Sequence, residues 1–328
     1  MSETFPRPDR EDAAAPDWKL SPERSNPFML RFMCWISLRL GRRAARGLLY
    51  GVAGYFLLFS PRARQASHTY LRRVLPLPPG ARVGWGRLFR HFMSFASVVH
   101  DRIYLINDQF DLFDIALHQR QLIIDVLARG RGAFLLGAHL GSFEVMRALG
   151  RQQPGLRVVM VMYEENARKI NALLAAVNPA AQQDVVALGH VDSMMAVHEL
   201  LEQGAVVGIL GDRSLGHDAM VSLPFLGAPA SLPVGPFRMA AILRRPVLFM
   251  AGLYRGGNRY DLHFETVADF STVGAGGRDA AVHAAMTRYA QLLEQYCRAA
   301  PYNWFNFFDF WKPAPGPAGS EASARQHG

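Results

Sequence analysis

The sequence predicts an α/β fold, a mixed and mostly parallel sheet flanked by helices, with an amphipathic helical region ahead of it. Two patterns carry that expectation. Short apolar runs alternate with helix-period stretches from Gly132 onward, and residues 28–100 combine apolar runs with arginine as their only charge. Composition sets the scale: half of the 328 residues are apolar and 19% are charged, so the chain can bury a large core and is too apolar to be mostly disordered. The two cysteines, Cys34 and Cys297, lie far apart without a C-x-x-C pair. That excludes a disulfide framework and a zinc finger and fits a reducing compartment.

Residues 1–27 hold Pro, Asp, Glu, Arg and Ala without periodicity and are expected to form a disordered tail. Between Phe28 and His100 stand twelve arginines, no lysine and no acid, a window of +12; the whole chain carries +9, leaving −3 for the remainder. Nucleic acid or an anionic membrane would suit such a window. Its apolar residues decide between them, because Phe28, Met29, Leu30, Phe32, Met33, Trp35 and Ile36 precede the arginine cluster and an apolar run, Gly47 to Ser60, follows it. A spanning helix needs about 20 apolar residues, and this run stops at 14, between Arg46 and Arg62. Residues 28–75 are therefore expected to lie on or shallowly in a membrane, with arginine heads at the phosphates and aromatic rings at the interface. A buried helical hairpin is the alternative. The charged, Pro-rich start argues against a cleavable signal peptide.

Pro76 to Gly80 separates this region from an α/β domain expected over 76–312, and Leu88 to Ile106 reads as a further amphipathic helix. The alternation then runs strand 133–138, helix 143–152, strand 156–162, helix 165–177, strand 184–188, helix 192–203 and strand 205–211. A loop through Pro233, helix 235–244, strands 246–253 and 260–266 and helix 279–298 follow. Residues 313–328, rich in Pro, Gly, Ala and Ser, are expected to form a second disordered tail. Catalytic groups in such sheets sit at the carboxyl ends of strands.

At the end of the first of these strands stands Gly137-Ala138-His139-Leu140-Gly141-Ser142-Phe143-Glu144. A spacing of five between His139 and Glu144 does not stack them on one helix face, which needs three or four. It suits a histidine held in the turn and a carboxylate reaching back from the first helical turn. Glu144 would then accept the imidazole Nδ1 proton and leave Nε2 as a base. Ser142 would cap the helix, and amides at its start could stabilise an oxyanion. Taken alone, the pair is equally a capped turn with a solvated glutamate.

In its context the pattern resembles the H-x4-D/E acyltransferase superfamily and, within it, the bacterial lipid A late acyltransferases, the lauroyl and myristoyl transferases. Val207-Gly208-Ile209-Leu210-Gly211-Asp212-Arg213 is similar to that family's strand-Asp motif, and Leu223-Pro224-Phe225-Leu226-Gly227-Ala228-Pro229-Ala230 to its Pro-Phe-aromatic-Gly-x-Pro loop. Arg245 to Phe249 resembles the strand that follows, and the Arg-rich N-terminus the membrane-associating segment. The likeness covers roughly residues 28–311. It implies that Asp212 and Arg213 position substrate or support the oxyanion, and that Phe225, Leu226 and Gly227 shape an acyl groove. Without the resemblance, Asp212-Arg213 reads as a turn salt bridge and the loop as an ordinary Pro/Gly connection.

Two departures stand out. The family's Tyr-Arg-Pro is replaced by Tyr163-Glu164-Glu165, with Arg168 one helical turn on as a substitute. Its cationic C-terminal block is replaced by Pro301-Tyr302-Asn303-Trp304-Phe305-Asn306-Phe307-Phe308-Asp309-Phe310-Trp311, in which seven of eleven residues are aromatic. Asn and Asp in place of cations argue against a bisphosphorylated acceptor, and the block resembles relatives from aryl-polyene or xanthomonadin-type pathways. The rings would line an acyl groove, rest at a membrane interface, or pack as a strap over the core.

His190 and His198 flank one helix without a carboxylate at ligand spacing, and His217-Asp218 lacks a third ligand, so no metal is expected. No G-x-S-x-G, G-x-G-x-x-G or P-loop is present, so neither a serine hydrolase nor a nucleotide cofactor is expected. The resemblance implies a monotopic or peripheral enzyme on the cytoplasmic face of a bacterial inner membrane. It would move an acyl group from acyl carrier protein, or coenzyme A, to a hydroxyl of a lipid or glycolipid, with His139 and Glu144 as the catalytic pair. Acyl carrier protein and anionic membrane lipids are its expected partners; nucleic acid is not. A thioesterase or phospholipase using the same pair, or an inactive membrane scaffold, are the alternatives.

Overall fold

The computed structural model describes residues 27–152, 156–163, 185–188, 191–214 and 219–311. Its helices are α1 (Pro27–Phe59), α2 (Pro61–Val74), α3 (Trp85–Ile106), α4 (Arg120–Leu127), α5 (Phe143–Gln152), α6 (Val191–Glu202), α7 (Gly235–Ile242) and α8 (Arg278–Ala299). The strands are β1 (Asp114–His118), β2 (Ala133–Gly137), β3 (Val158–Tyr163), β4 (Val185–Leu188), β5 (Val206–Leu210), β6 (Met220–Phe225), β7 (Ala228–Pro233), β8 (Pro246–Gly256) and β9 (Arg259–Asp269). Seven strands form one sheet in the order β1-β9-β8-β2-β5-β3-β4, and every neighbouring pair is parallel except β8 with β9. The mixed, mostly parallel sheet expected from the alternation is therefore present.

Continuous apolar runs place β2 and β5 at its centre. All five residues of β2 and the first four of β5 are buried, as strands covered on both faces must be. Glycines bring α5 down onto them: a Cβ at Gly208 would meet the Phe143 ring at 2.2 Å. The strands expected from the sequence lie within three residues of their observed ends. The expected helix over 165–177 lies outside the described residues.

Two features were not expected. Residues 114–127 form β1 and α4, and the supposed loop before Pro233 is the β6–β7 hairpin, with Phe225 opposite Ala228. Pro224, Pro229 and Pro233 read as breakers, but a two-stranded ribbon tolerates proline on its unpaired sides. Its two-residue turn has positive φ at Leu226 (50°) and Gly227 (77°), the geometry that matches strand twist in tight hairpins.

The arginine-rich region folds onto this domain. Gly41, at φ 77°, kinks α1, and beyond it Ala45, Leu49, Ala53 and Leu57 form a buried stripe at four-residue spacing on the helix that packs against α3. The Arg42 guanidinium grips the buried Asp101 carboxylate of α3 through two 2.8 Å hydrogen bonds, and the Tyr260 hydroxyl of β9 donates to it at 2.8 Å. Pro61 opens α2, and Arg64 donates to the carbonyls of Leu57 and Leu58 that end α1. Among the described residues no helix is long and apolar enough to cross a membrane.

The turn after β2 is set by an unusually close backbone approach. Ser142 N donates to Gly252 O at 2.7 Å, and a Cβ at Gly252 would meet Ser142 O at 2.2 Å. Gly252→Ala is therefore expected to cost about 2–4 kcal/mol, the range of a backbone forced out of place. A urea midpoint unchanged from wild type would contradict this account.

Candidate active site

β2 and β5 run side by side with Gly137 opposite Leu210, so two further residues on each strand carry His139 and Asp212 past the sheet edge together. His139 Nδ1 lies 2.8 Å from Asp212 Oδ1, and the His139 backbone N–H donates to Oδ2 at 3.0 Å. Trp304 Nε1 and Asn306 Nδ2 donate to the same Oδ2 at 3.1 and 2.9 Å. Asp212 is 1% exposed. Burial alone would raise its carboxyl, but the charge and hydrogen bonds of His139 and the charge of Arg213 hold it at about 2. An ionised carboxylate only accepts, so Nδ1 carries the proton and Nε2 the lone pair.

The imidazole keeps 28% of its side-chain surface exposed. Desolvation and the neighbouring Arg213 lower its basicity below the usual histidine value of 6.5, against the opposing pull of Asp212. Neutral His139 is thus the form present at neutral pH, as a general base requires. Arg213 is held from behind: its Nε donates to Asn306 Oδ1 at 2.6 Å and Nη2 to Phe305 O at 3.0 Å. Burial brings its guanidinium down to about 10, still cationic at neutral pH.

The C-terminal residues are a strap over the core. Leu140 bridges Trp304 as a short antiparallel pair, Phe305 N donates to His139 O at 2.7 Å, and Gly141 N to Asn303 O at 2.8 Å. Asn303 grips Tyr254 through both its N–H and carbonyl. Buried His91, pushed down to about 4 by desolvation against its bond to the Trp304 carbonyl, sits between that carbonyl and the Ser67 hydroxyl at 2.8 Å each. Asn303 and Asn306 are thereby committed inside the protein, so their identity carries no information about an acceptor's phosphates.

The expected pairing of Glu144 with His139 is corrected by these contacts. Asp212 occupies the Nδ1 position, whereas Glu144, 3% exposed, faces Arg147 of α5 at 2.7 Å and Arg102 of α3 at 3.4 Å. Two guanidinium groups outbid a more distant imidazole for a buried carboxylate. Ahead of the helix start that was expected to support an oxyanion, the amides of His139, Gly141 and Ser142 are engaged, donating to Asp212, Asn303 and Gly252. Ser142 itself is buried.

Phe225 and Leu226, expected in an acyl groove, are buried at the hairpin end. Phe225 stacks on Trp311 and meets Trp304 and Phe310 edge-on, while Leu226 N donates to Glu294 at 2.6 Å. Gly227 completes the turn. Arg168, His190 and His217-Asp218 lie outside the described residues; His198 is half exposed beside Glu202. Trp304 and Asn306 were missed because their sequence signal is only membership of an aromatic tail.

A neutral histidine held by a buried aspartate at the carboxyl ends of two central parallel strands has the geometry that a general base in group transfer or hydrolysis needs. The family model for bacterial lipid A biosynthesis acyltransferases matches residues 19–313. The chain belongs to that family. It is accordingly an acyltransferase. The match speaks to no subgroup, so the pigment-pathway likeness of the tail stays a resemblance. No curated protein matches the chain.

Three results follow for this acyltransferase. Asp212→Asn should lower kcat/KM about 10²–10⁴-fold, while Glu144→Gln should lower the melting temperature and leave the pH profile of the folded enzyme unchanged; the reverse pattern would return the orienting role to Glu144. Because protonation of His139 removes the base, activity should fall with pH through a value below 6.5. In Arg213→Gln, which removes a charge that disfavours imidazolium, that acid limb should move upward, and Arg213→Lys should leave it in place.

Proposed function

We propose that this enzyme transfers a fatty acyl group from the thioester of acyl carrier protein, or of coenzyme A, to a hydroxyl of a lipid or glycolipid at a membrane surface. The observation that carries the proposal is the partly exposed His139, neutral and fixed by ionised Asp212 so that Nε2 faces the reactants as a base. Nε2 takes the proton of the acceptor hydroxyl as its oxygen attacks the thioester carbonyl. Asp212 stabilises the imidazolium that forms. The tetrahedral oxyanion collapses, the carbon–sulfur bond breaks, and His139 returns the proton to the leaving thiolate. Arg213, beside His139, offers positive charge to the oxyanion. Direct transfer suits the site, because the buried Cys297 thiol is pushed well up by desolvation and lies in the core.

The membrane reading rests on a second observation. Outside its buried stripe, α1 exposes Leu48, Tyr50, Tyr55, Phe56, Leu58 and Phe59, and Trp85 at the start of α3 is 58% exposed with Arg64 over its ring. Exposed apolar residues in such density mark an interaction surface, and aromatic rings beside arginine suit a lipid headgroup layer, peripheral or monotopic. The exposed arginines of this region would also attract an acidic carrier protein.

Membranes containing wild-type or His139→Ala enzyme, incubated with radiolabelled acyl-carrier protein, test the reaction. Label should enter one lipid with wild type, at a rate about 10²–10⁴-fold lower in the variant. Label found only as free fatty acid in both the presence and absence of lipid would assign a hydrolase instead. For the surface, Leu58→Asp with Phe59→Asp should release the enzyme from anionic vesicles in a flotation assay while transfer to a detergent-dispersed acceptor persists; unchanged flotation would remove α1 from the membrane contact.

A further inference from the structure

At the edge of the sheet, three side chains that share no hydrogen bond with the Asp212 cluster converge on one point. His118 ends β1 and is the cross-strand partner of His263 on β9, and Asp261 stands two residues earlier on the same face of β9. The two imidazoles lie parallel, with centroids 4.2 Å apart and 8° between their planes. His118 Nε2 is 4.0 Å from Asp261 Oδ1, and one ligand atom from each of the three residues lies within 4.8 Å of the others.

Two details distinguish this group from ordinary packing. Nε2 of His118 and Nε2 of His263 are both buried atoms without a hydrogen-bond partner. Most buried side-chain polar atoms in native structures have a partner, so two neighbouring orphans on facing imidazoles call for a reason. In addition, Arg255 holds Asp261 through Oδ2 at 2.7 Å, which neutralises that side of the carboxylate and fixes Oδ1 toward His118. A ligand carboxylate anchored through its other oxygen is the usual arrangement around a bound metal. Asp261 remains 26% and His118 43% exposed, so an ion has a route in.

We propose that His118, Asp261 and His263 bind a divalent transition-metal ion, zinc(II) by preference, through the two Nε2 atoms and Asp261 Oδ1. Two imidazoles and one carboxylate suit zinc, whereas calcium and magnesium call for oxygen ligands. In a tetrahedral zinc site the donors stand about 3.3 Å apart. The 4.0 Å pair therefore needs to close by about 0.7 Å and a pair at the 4.8 Å limit by about 1.5 Å, with the near-parallel rings turning so that their lone pairs meet. Water fills the fourth position. β1 pairs with β9 alone, and the metal would clamp this edge strand to the sheet.

Full-length, untagged protein stripped with a chelator and titrated with cobalt(II) tests the site without reference to acyl transfer. One equivalent should bind with micromolar or tighter affinity and give visible d–d absorption, zinc(II) should displace it, and zinc(II) should raise the melting temperature. His118→Ala and His263→Ala should each weaken binding by at least about tenfold, whereas His198→Ala, which alters the separate His198–Glu202 pair, should not. Absence of saturable binding, or equal binding in wild type and His118→Ala, would overturn the proposal. Should His263→Ala fail to fold, His118→Ala at the end of an edge strand decides the question alone.

Discussion

Everything at this site depends on one buried charge. A carboxylate withdrawn from water is tolerated only where donors surround it, and Asp212 receives four, from the His139 side chain and backbone, Trp304 and Asn306. Those donors belong to two segments far apart in the chain. Satisfying Asp212 therefore fixes the turn after β2 against the C-terminal strap, and the His139 imidazole is aligned by the same bonds that close the core. The Arg213 guanidinium completes the cluster from the other side, lowering the imidazole's basicity while being held by Asn306 and Phe305.

The sheet was largely legible because its central strands are buried on both faces and so appear as unbroken apolar runs between glycines, as at Ala133–Gly137 and Val206–Leu210. β1 was not, since it is only five residues long and mostly exposed, so Ile115 and Leu117 give too short an alternation to stand out. The hairpin was hidden by its prolines. His139 was found because a polar residue after an apolar strand is conspicuous in the sequence itself. Its partner was misread for a physical reason: Glu144 is near in sequence, but Asp212, 73 residues away, is near in space. Only strand order reveals that, because the adjacency of β2 and β5, in register, is a property of the sheet and not of either segment.

The arginine-rich region divides in a way that net charge conceals. Arg42 is gripped by Asp101, Arg46 donates to the Tyr254 hydroxyl, Arg64 caps α1, and Arg73 and Arg90 lie over the rings of Trp311 and Tyr302. These cations hold helices to the domain. Others, such as Arg43, Arg62, Arg72, Arg82 and Arg87, remain exposed. A window of uniform composition thus contains an internal scaffold and an outward charged face, and the same helix α1 supplies both through its two sides.

Trp304 and Asn306 also set a temporal order. A chain emerging from the ribosome presents its amino end first, so His139, Asp212 and every strand of the sheet are synthesised before the two side chains that complete the Asp212 shell. Until they arrive, the carboxylate lacks two of its four donors and the turn carrying His139 lacks the partner strand that pins it. The Asp212 shell is consequently completed only after the whole sheet and the N-terminal helices have been synthesised, so the geometry around His139 is the last part of the fold to be fixed.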